Sequence, residues 1–183
     1  APPLDQSPHA IPCREPEPMD RWGQPPSEEV DFQVFLQYHF FRQWRALKTY
    51  ANQKGIAIIG DLPIYVSADS VEVWSQPQLF QMDADFVPTA VAGVPPDAFS
   101  DVGQYWGNPL YDWAGHKKEL FSWWTRRLQN AALLYDRLRI DHFRGFHTYW
   151  AIPASSKVAK DGKWEKGPGQ ALLDHFAKEV PQL

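Results

Sequence analysis

The hydrophobic and polar positions of this 183-residue chain follow a helical period in two long stretches. In the first, Ser27 precedes acidic residues, as is typical of a helix start, and Gly55 is a natural stop. The apolar side chains between them recur every three or four residues: Val34, Phe35, Tyr38, Phe41, Trp44, Leu47 and Ala51. A second apolar stripe predicts another helix over residues 116–135.

Further elements alternate with these helices. Residues 56–59 form a continuous apolar run, typical of a buried strand, with Asp61 just beyond it. Residues 77–113 contain mostly Pro, Gly, Asp and aromatic residues and predict a long functional loop. We expect a second strand at 137–141 and a last helix at 169–178. Alternating strands and helices predict the α/β class, with parallel strands and crossover helices.

The second predicted strand carries the most informative charged side chains. Alternate positions share a face, so Arg139 and Asp141 point one way while Leu138 and Ile140 point the other. A guanidinium beside a carboxyl favours its ionised form. An ionised Asp at a strand end, among aromatic side chains, is what a covalent glycosidase nucleophile requires. An ordinary Arg–Asp pair near a sheet edge explains these residues equally well.

Composition excludes several classes of protein. Hydrophobic residues make up 44% of the chain, enough for a packed core, and no apolar run approaches the ~20 residues of a membrane span. The net charge of −4, without a basic stripe, argues against nucleic acid as a partner. The single Cys13 and the lack of a signal-peptide pattern favour the cytoplasm. Eight of the seventeen prolines lie in residues 1–26, which predicts an extended lead-in to a domain over 27–183.

Aromatic residues are 15% of the chain and include nine tryptophans. Large rings fill protein cores and also stack on sugar rings, so their positions matter more than their number. Trp44 and Trp124 lie on the apolar stripes of predicted helices, and we expect them in the core. Trp106 lies in the Gly/Asn/Pro-rich part of the predicted loop, so we expect it at the surface or in a site.

Four segments carry distinctive motifs. They read GDLPIYV at 60–66, GVPPDAFS at 93–100 continuing into GQYWGNPLY at 103–111, RIDHFRG at 139–145, and YWAIPA at 149–154. In this order and at this spacing they resemble the amylomaltases, the 4-α-glucanotransferases of glycoside hydrolase family 77. The match at 93–111 is particular to the glucanotransferases, which disfavours an amylase or debranching type of hydrolase.

This resemblance implies part of a (β/α)8 barrel and a retaining transfer of α-1,4-glucan segments to an acceptor sugar. It implies that Asp141 is the nucleophile that forms the glycosyl-enzyme intermediate, with Arg139 holding it ionised and oriented. Neither a cofactor nor a metal is needed. The positions implied to bind α-1,4-glucans and maltooligosaccharides are Asp61, Asp97, Trp106, Asn108 and His142.

Some of these positions have simpler alternatives. Asp61 is also placed to cap the turn at 62–63 through its own backbone, and His142 is also suited to a purely structural role. Asp83 and Asp85 have the spacing of metal ligands, but a solvated turn is the far commoner use of that spacing. Nothing in the sequence predicts an oligomeric state.

One family feature is missing. The family's general acid/base Glu lies in an Ala-Glu-Asp-Leu-Gly segment, and this chain has no Glu-Asp dipeptide. The tripeptide at 174–176 repeats that at 141–143, but its helical pattern predicts a packed helix surface. We therefore expect the chain to stop before the acid/base strand and these residues alone to be inactive. The alternative function is a vestigial carbohydrate-binding segment.

Overall fold

Two sheets and four α-helices organise residues 28–181, the part of the chain that the computed structural model describes. The proline-rich residues 1–26 and the helix-start signal at Ser27 lie outside that range. No helix within it is long and apolar enough to cross a membrane. The helices are α1 (Glu28–Gln53), α2 (Val71–Ser75), α3 (Lys117–Leu134) and α4 (Gln170–Glu179). The strands are β1 (Ile59–Pro63), β2 (Ala90–Val94), β3 (Gln104–Pro109), β4 (Arg137–Asp141), β5 (Thr148–Pro153) and β6 (Lys163–Lys166).

The smaller sheet is the parallel pair of β1 and β4, and α3 lies in the connection between them. This pair confirms the predicted strand–helix–strand unit. The larger sheet has the order β3-β2-β5-β6 and is antiparallel at every pairing. The described chain is therefore an α/β structure in which an antiparallel sheet, not anticipated from the sequence, accompanies the parallel pair.

The prediction of a long loop over residues 77–113 is wrong, because β2 and β3 both lie inside it. Pro, Gly and Asp favour turns, and the local composition therefore gave no strand signal. β2 pairs on one side with β3 and on the other with β5, a strand distant in sequence. This tertiary pairing overrides the local propensity.

The first strand begins later than predicted. The backbone N–H of Ile58 donates to the Asp136 side chain at 2.8 Å, and the ladder with β4 starts only at Ile59. The ladder then continues to Pro63, opposite Asp141. Asp61 consequently lies inside β1 and not beyond its end.

The main core surrounds the side chains that α3 turns inward. Trp124 is fully buried, as predicted, and its ring lies edge-on to Phe146 at 4.9 Å. The guanidinium of Arg127 lies 4.8 Å from the centre of the Trp124 ring, and Nη1 donates to the Ile64 carbonyl at 3.3 Å. Burial lowers the pKa of Arg127 below its ordinary value, and the aromatic faces stabilise this partly buried cation.

Helix α1 is held by polar contacts, and none of its residues is buried. Trp44 is therefore not the core residue that its apolar stripe predicted. Its Nε1 donates to the Leu134 carbonyl at 2.8 Å, at the C-terminal end of α3. Lys48 Nζ donates to the nearby Tyr135 carbonyl at 2.9 Å and pairs with Asp136 at 3.4 Å. A cation at a helix C-terminus is favourable because the free carbonyls there carry partial negative charge.

We expect Leu120→Ala to lower the free energy of unfolding of the protein containing this chain by about 2–5 kcal/mol, because this side chain is fully buried in α3. The matched control is Leu133→Ala in the same helix, where the side chain is 69% exposed and the cost should stay within about 0.5 kcal/mol. Denaturant unfolding measures both. Equal losses would contradict this packing of α3.

Candidate active site

The register of β1 and β4 brings charged side chains to one edge of the parallel pair. Asp61 lies opposite Arg139, and Pro63 lies opposite Asp141. Burial alternates along β4 as predicted, with Arg139 and Asp141 exposed and the intervening Ile140 partly buried. Both strands run in the same direction, so their carboxyl ends meet where Asp141 lies.

Arg139 bonds directly to Asp61 and not to Asp141. Its Nε donates to Asp61 Oδ1 at 3.0 Å, and its Nη2 donates to Asp61 Oδ2, a bidentate arrangement. The side-chain hydrogen bond is the main cause that lowers the pKa of Asp61, and the same bond raises the pKa of Arg139. Asp141 adds only a smaller electrostatic effect on Arg139. The predicted direct partner of Arg139 is therefore corrected: the guanidinium bonds across the strand pair, because its nearest carboxylate faces it there.

The two roles considered for Asp61 are not exclusive. A hydrogen bond from the Leu62 backbone also lowers the pKa of Asp61, so the turn-capping interaction is present beside the ion pair. The side chains of Asp61 and Arg139 are 55% and 66% exposed. Both remain accessible to a ligand at this edge while they hold each other.

His142 follows β4 directly and takes a left-handed conformation, with φ 50° and ψ 41°. Its ring lies 4.8 Å from Trp106, nearly perpendicular to it, and 6.2 Å from Tyr65. Its Nε2 is buried and has no hydrogen-bond partner among the described residues. Burial is the main cause that lowers the pKa of His142 from 6.5, against the opposing charge of Asp141. A buried ring nitrogen without a partner is suited to meet a polar ligand.

Trp106 lies in strand β3 and not in a loop, but its exposed position agrees with the expectation of a surface or site residue. Its Nε1 donates to Gln104 Oε1 at 2.9 Å. Tyr65 lies beside it, with ring centres 6.3 Å apart, and also stacks on Tyr111 at 6.1 Å. We call Tyr65, Trp106 and His142 the aromatic wall. His142 follows Asp141 at the end of β4, Tyr65 lies two residues past β1, and Trp106 of β3 contacts both rings, so this edge is the candidate site.

The sequence did not single out Tyr65, although it is the sixth residue of the GDLPIYV motif and lies two residues beyond β1. The signal that could have found it was an aromatic side chain just past a strand end. Tyr111, likewise missed, donates from its hydroxyl to the Ile64 carbonyl at 2.6 Å. This bond fixes the segment that carries Tyr65.

Asn108 and Asp97 brace the backbone around the site. Asn108 Nδ2 donates to the Val66 carbonyl at 2.9 Å and so joins β3 to the segment after β1. Asp97 Oδ1 accepts from the backbone N–H groups of Phe99 and Ser100 at 2.8 and 2.9 Å, closing the loop between β2 and β3. Within residues 28–181, no hydrogen bond joins Asp97 to the other predicted site residues.

Residues 2–183 match the model of glycoside hydrolase family 77, a family described as 4-alpha-glucanotransferase. The chain belongs to this family. It is 54% identical over 160 residues to the 4-alpha-glucanotransferase of Thermus thermophilus and 47% identical over 154 residues to the chloroplastic/amyloplastic 4-alpha-glucanotransferase of Solanum tuberosum. These matches cover 86% and 84% of the chain but only 32% and 27% of the two relatives. The chain thus spans about a third of the length of the curated relatives it matches.

A solved structure gives the same relationship. The amylomaltase of Streptococcus agalactiae, determined in complex with acarbose, matches with a TM-score of 0.93 and 49% identity. The match covers all of this chain and 37% of that one. The family resemblance inferred from the four motifs is therefore confirmed. The described residues have the fold of the corresponding part of an amylomaltase.

Two other features of the sequence, the spacing of Asp83 and Asp85 and the repeated tripeptide at 174–176, have structural roles. Asp83 Oδ1 accepts from the backbone N–H groups of Asp85 and Val87, both at 2.9 Å, which is the turn alternative. No cluster of three or more His, Cys, Asp or Glu among residues 28–181 has the geometry to hold a metal ion. The repeated tripeptide lies on α4, where His175 Nε2 is 2.9 Å from Thr125 Oγ1 and Phe176 packs against Phe146.

We expect His142 to titrate below 6.5 in the protein containing this chain, because burial disfavours the imidazolium. The unfolded chain then binds this proton more readily than the folded one. The contribution of His142 to stability is therefore highest above pH 6.5 and falls as the pH drops towards its folded pKa. NMR titration of the protein with labelled histidine measures the pKa of His142, and the His142→Gln variant identifies its signal. A pKa at or above 6.5 would contradict the burial of this ring.

Proposed function

We propose that the protein containing this chain is a 4-α-glucanotransferase that moves α-1,4-glucan segments to an acceptor sugar with retention of configuration. One observation carries the proposal: Asp141 is an exposed carboxylate at the end of a parallel strand, next to the aromatic wall. Family membership supports the reaction class, since the curated relatives are named for this activity. The acarbose bound to the S. agalactiae amylomaltase supports a sugar-binding site in this family.

In this proposal Asp141 attacks the anomeric carbon of the donor. The bond from that carbon to the leaving sugar oxygen breaks, and an ester between the glycosyl group and Asp141 forms. A hydroxyl of the acceptor sugar then attacks the same carbon and releases Asp141, and its proton goes to the carboxylate of the acid that had protonated the leaving oxygen. A retaining reaction also needs a carboxylic acid about 5–5.5 Å from the nucleophile to protonate the leaving oxygen. We assign that acid to a part of the protein outside these residues.

The other predicted residues then have supporting roles. The bidentate pair of Arg139 and Asp61 holds the end of β4 against β1, so it positions Asp141 through the backbone. His142 offers its unpartnered Nε2 to a sugar hydroxyl, and Trp106 offers an exposed ring to the apolar face of a sugar. Asn108 and Asp97 shape the loops around them. We further propose that β1 and β4 are neighbouring strands of a (β/α)8 barrel.

A carbohydrate-binding segment without catalysis is the second candidate. The observation that favours it is the aromatic wall, because the exposed Trp106 ring and the unpartnered His142 Nε2 suit a sugar without any covalent step. Such a protein would keep the aromatic wall and still bind maltooligosaccharides, but it would form no glycosyl-enzyme.

Asp141→Asn should lower maltotriose disproportionation by the intact protein by roughly 10³-fold or more, because an amide cannot act as the covalent nucleophile. The matched control is Asp174→Asn, which changes the same tripeptide on the exposed surface of α4 and should leave activity within about twofold. Glucose release and longer oligomers are the readout.

Activity of Asp141→Asn within about tenfold of the wild type would remove Asp141 from the chemistry. A wild-type protein that binds maltotriose but transfers nothing would favour the binding segment instead.

A further inference from the structure

We propose that a surface cleft separate from the candidate active site is an accessory binding site for α-1,4-glucan chains, an inference that rests on the proposed function. The cleft has a volume of about 510 Å³. This lies in the range of small-molecule sites in proteins. The side chains that matter for binding are Phe80, Met82, Asp83, Phe86, Asp112 and His116. None of them is a residue of the aromatic wall or of the charged edge at β1 and β4.

The lining of the cleft matches the two faces of a glucose unit. Its apolar lining includes the exposed Phe86, the partly buried Met82 and the nearly buried Phe80, which stacks on Tyr111 at 5.3 Å. Its rim carries the carboxylates of Asp83 and Asp112. Sugar rings present C–H groups that pack on aromatic and thioether surfaces, and hydroxyls that donate to carboxylates. A glucan chain satisfies both parts of this lining at once.

Hydrogen bonds hold both carboxylates at the rim of the cleft in place. Asp112 Oδ1 accepts from the Gly115 backbone N–H at 2.9 Å, while Oδ2 lies 3.1 Å from His116 Nδ1. On the facing loop, Asp83 donates its backbone N–H to the Val87 carbonyl at 2.9 Å. Together with the two bonds to its Oδ1, this closes residues 83–87 into a tight loop. A preformed rim lowers the cost of ordering side chains when a ligand binds.

Phe86 lies on this loop in an unusual backbone conformation. Its φ is 60°, in the left-handed region that bulky residues rarely adopt. The side chain is 44% exposed and has no aromatic partner among the described residues. Glycine or asparagine would take this backbone conformation more easily. The hydrogen bonds of residues 83–87 hold this backbone conformation and leave the ring accessible to a ligand. Backbone strain that neighbouring bonds hold in place is often found at binding sites.

The cleft and the candidate active site are joined through the core. The ring of Tyr111 stacks on Phe80 of the cleft and on Tyr65 of the aromatic wall. Tyr111 itself is fully buried. A long glucan chain held in the cleft is thus bound to the same rigid body as the reacting end, whereas a trisaccharide in the active site has no need of the cleft. Loss of the cleft should therefore affect long donors and spare short ones.

The experiment is native electrophoresis of the intact protein in gels containing amylose, together with the maltotriose transfer assay. Phe86→Gly removes the ring and relieves the left-handed strain, and Phe86→Asn is a second ring-free variant suited to that conformation. Both should weaken amylose binding roughly three- to tenfold, with maltotriose transfer within about twofold of the wild type. Phe86→Tyr keeps the ring and should bind amylose like the wild type.

Equal amylose binding by wild type and both ring-free variants would overturn the accessory site. A parallel loss of maltotriose transfer would also overturn it, because Phe86 would then act through the active site. Failure of the proposed function has a different signature. The wild type would then not transfer maltotriose, while ring removal would still weaken amylose binding.

Discussion

The register of the parallel pair β1–β4 determines where every candidate catalytic side chain lies. A shift of one residue would turn Asp141 onto the packed face and Ile140 outward. The bidentate bond between Asp61 and Arg139 joins residues that are direct partners in the ladder, so it stabilises this register and no other. Gly60 adds a steric constraint, since a Cβ there would lie 2.2 Å from the Tyr135 ring. The strand pair can approach the end of α3 only because this position has no side chain.

The core supports the same edge from behind. The Ile64 carbonyl accepts from both the Tyr111 hydroxyl and the partly buried Arg127 guanidinium. These bonds fix the chain just past β1 and thereby place Tyr65 against His142. Gly145 allows the turn after β4 to pack closely, because a Cβ there would lie 2.8 Å from Ile64 Cδ1. The aromatic wall is thus an extension of the core that reaches the surface at Trp106.

Sequence patterns predicted those features that depend on local periodicity. Strand β4 has the predicted bounds because its alternation is unambiguous, and helices α3 and α4 each lie within about a residue of their predicted ends. Strands β2 and β3 escaped prediction because their stability comes from pairing with each other and with β5, which no local window contains. Trp44 was wrongly predicted to be a core residue because an apolar stripe identifies one face of a helix but does not show whether another part of the chain packs against it.

The site shows the same division between local and distant information. Placing Arg139 and Asp141 on one face needed only the strand period, whereas the actual partner of Arg139 depends on the register with β1. Likewise, His142 Nε2 has no hydrogen-bond partner among the described residues because the ring is buried beside Tyr65 and Trp106. These three residues come from three separate segments of the chain. The family motifs identified these segments correctly without revealing how they touch.

The central claim is that Asp141, held at this strand end, becomes covalently bonded to the donor sugar. The most direct measurement is mass spectrometry of the intact protein after incubation with a fluorosugar donor whose glycosyl-enzyme turns over slowly, followed by proteolysis. The proposed mechanism predicts one added glycosyl group, located on the peptide at Asp141. A label on Asp61 or on any other carboxylate, or an unlabelled protein that still transfers maltotriose, would contradict it.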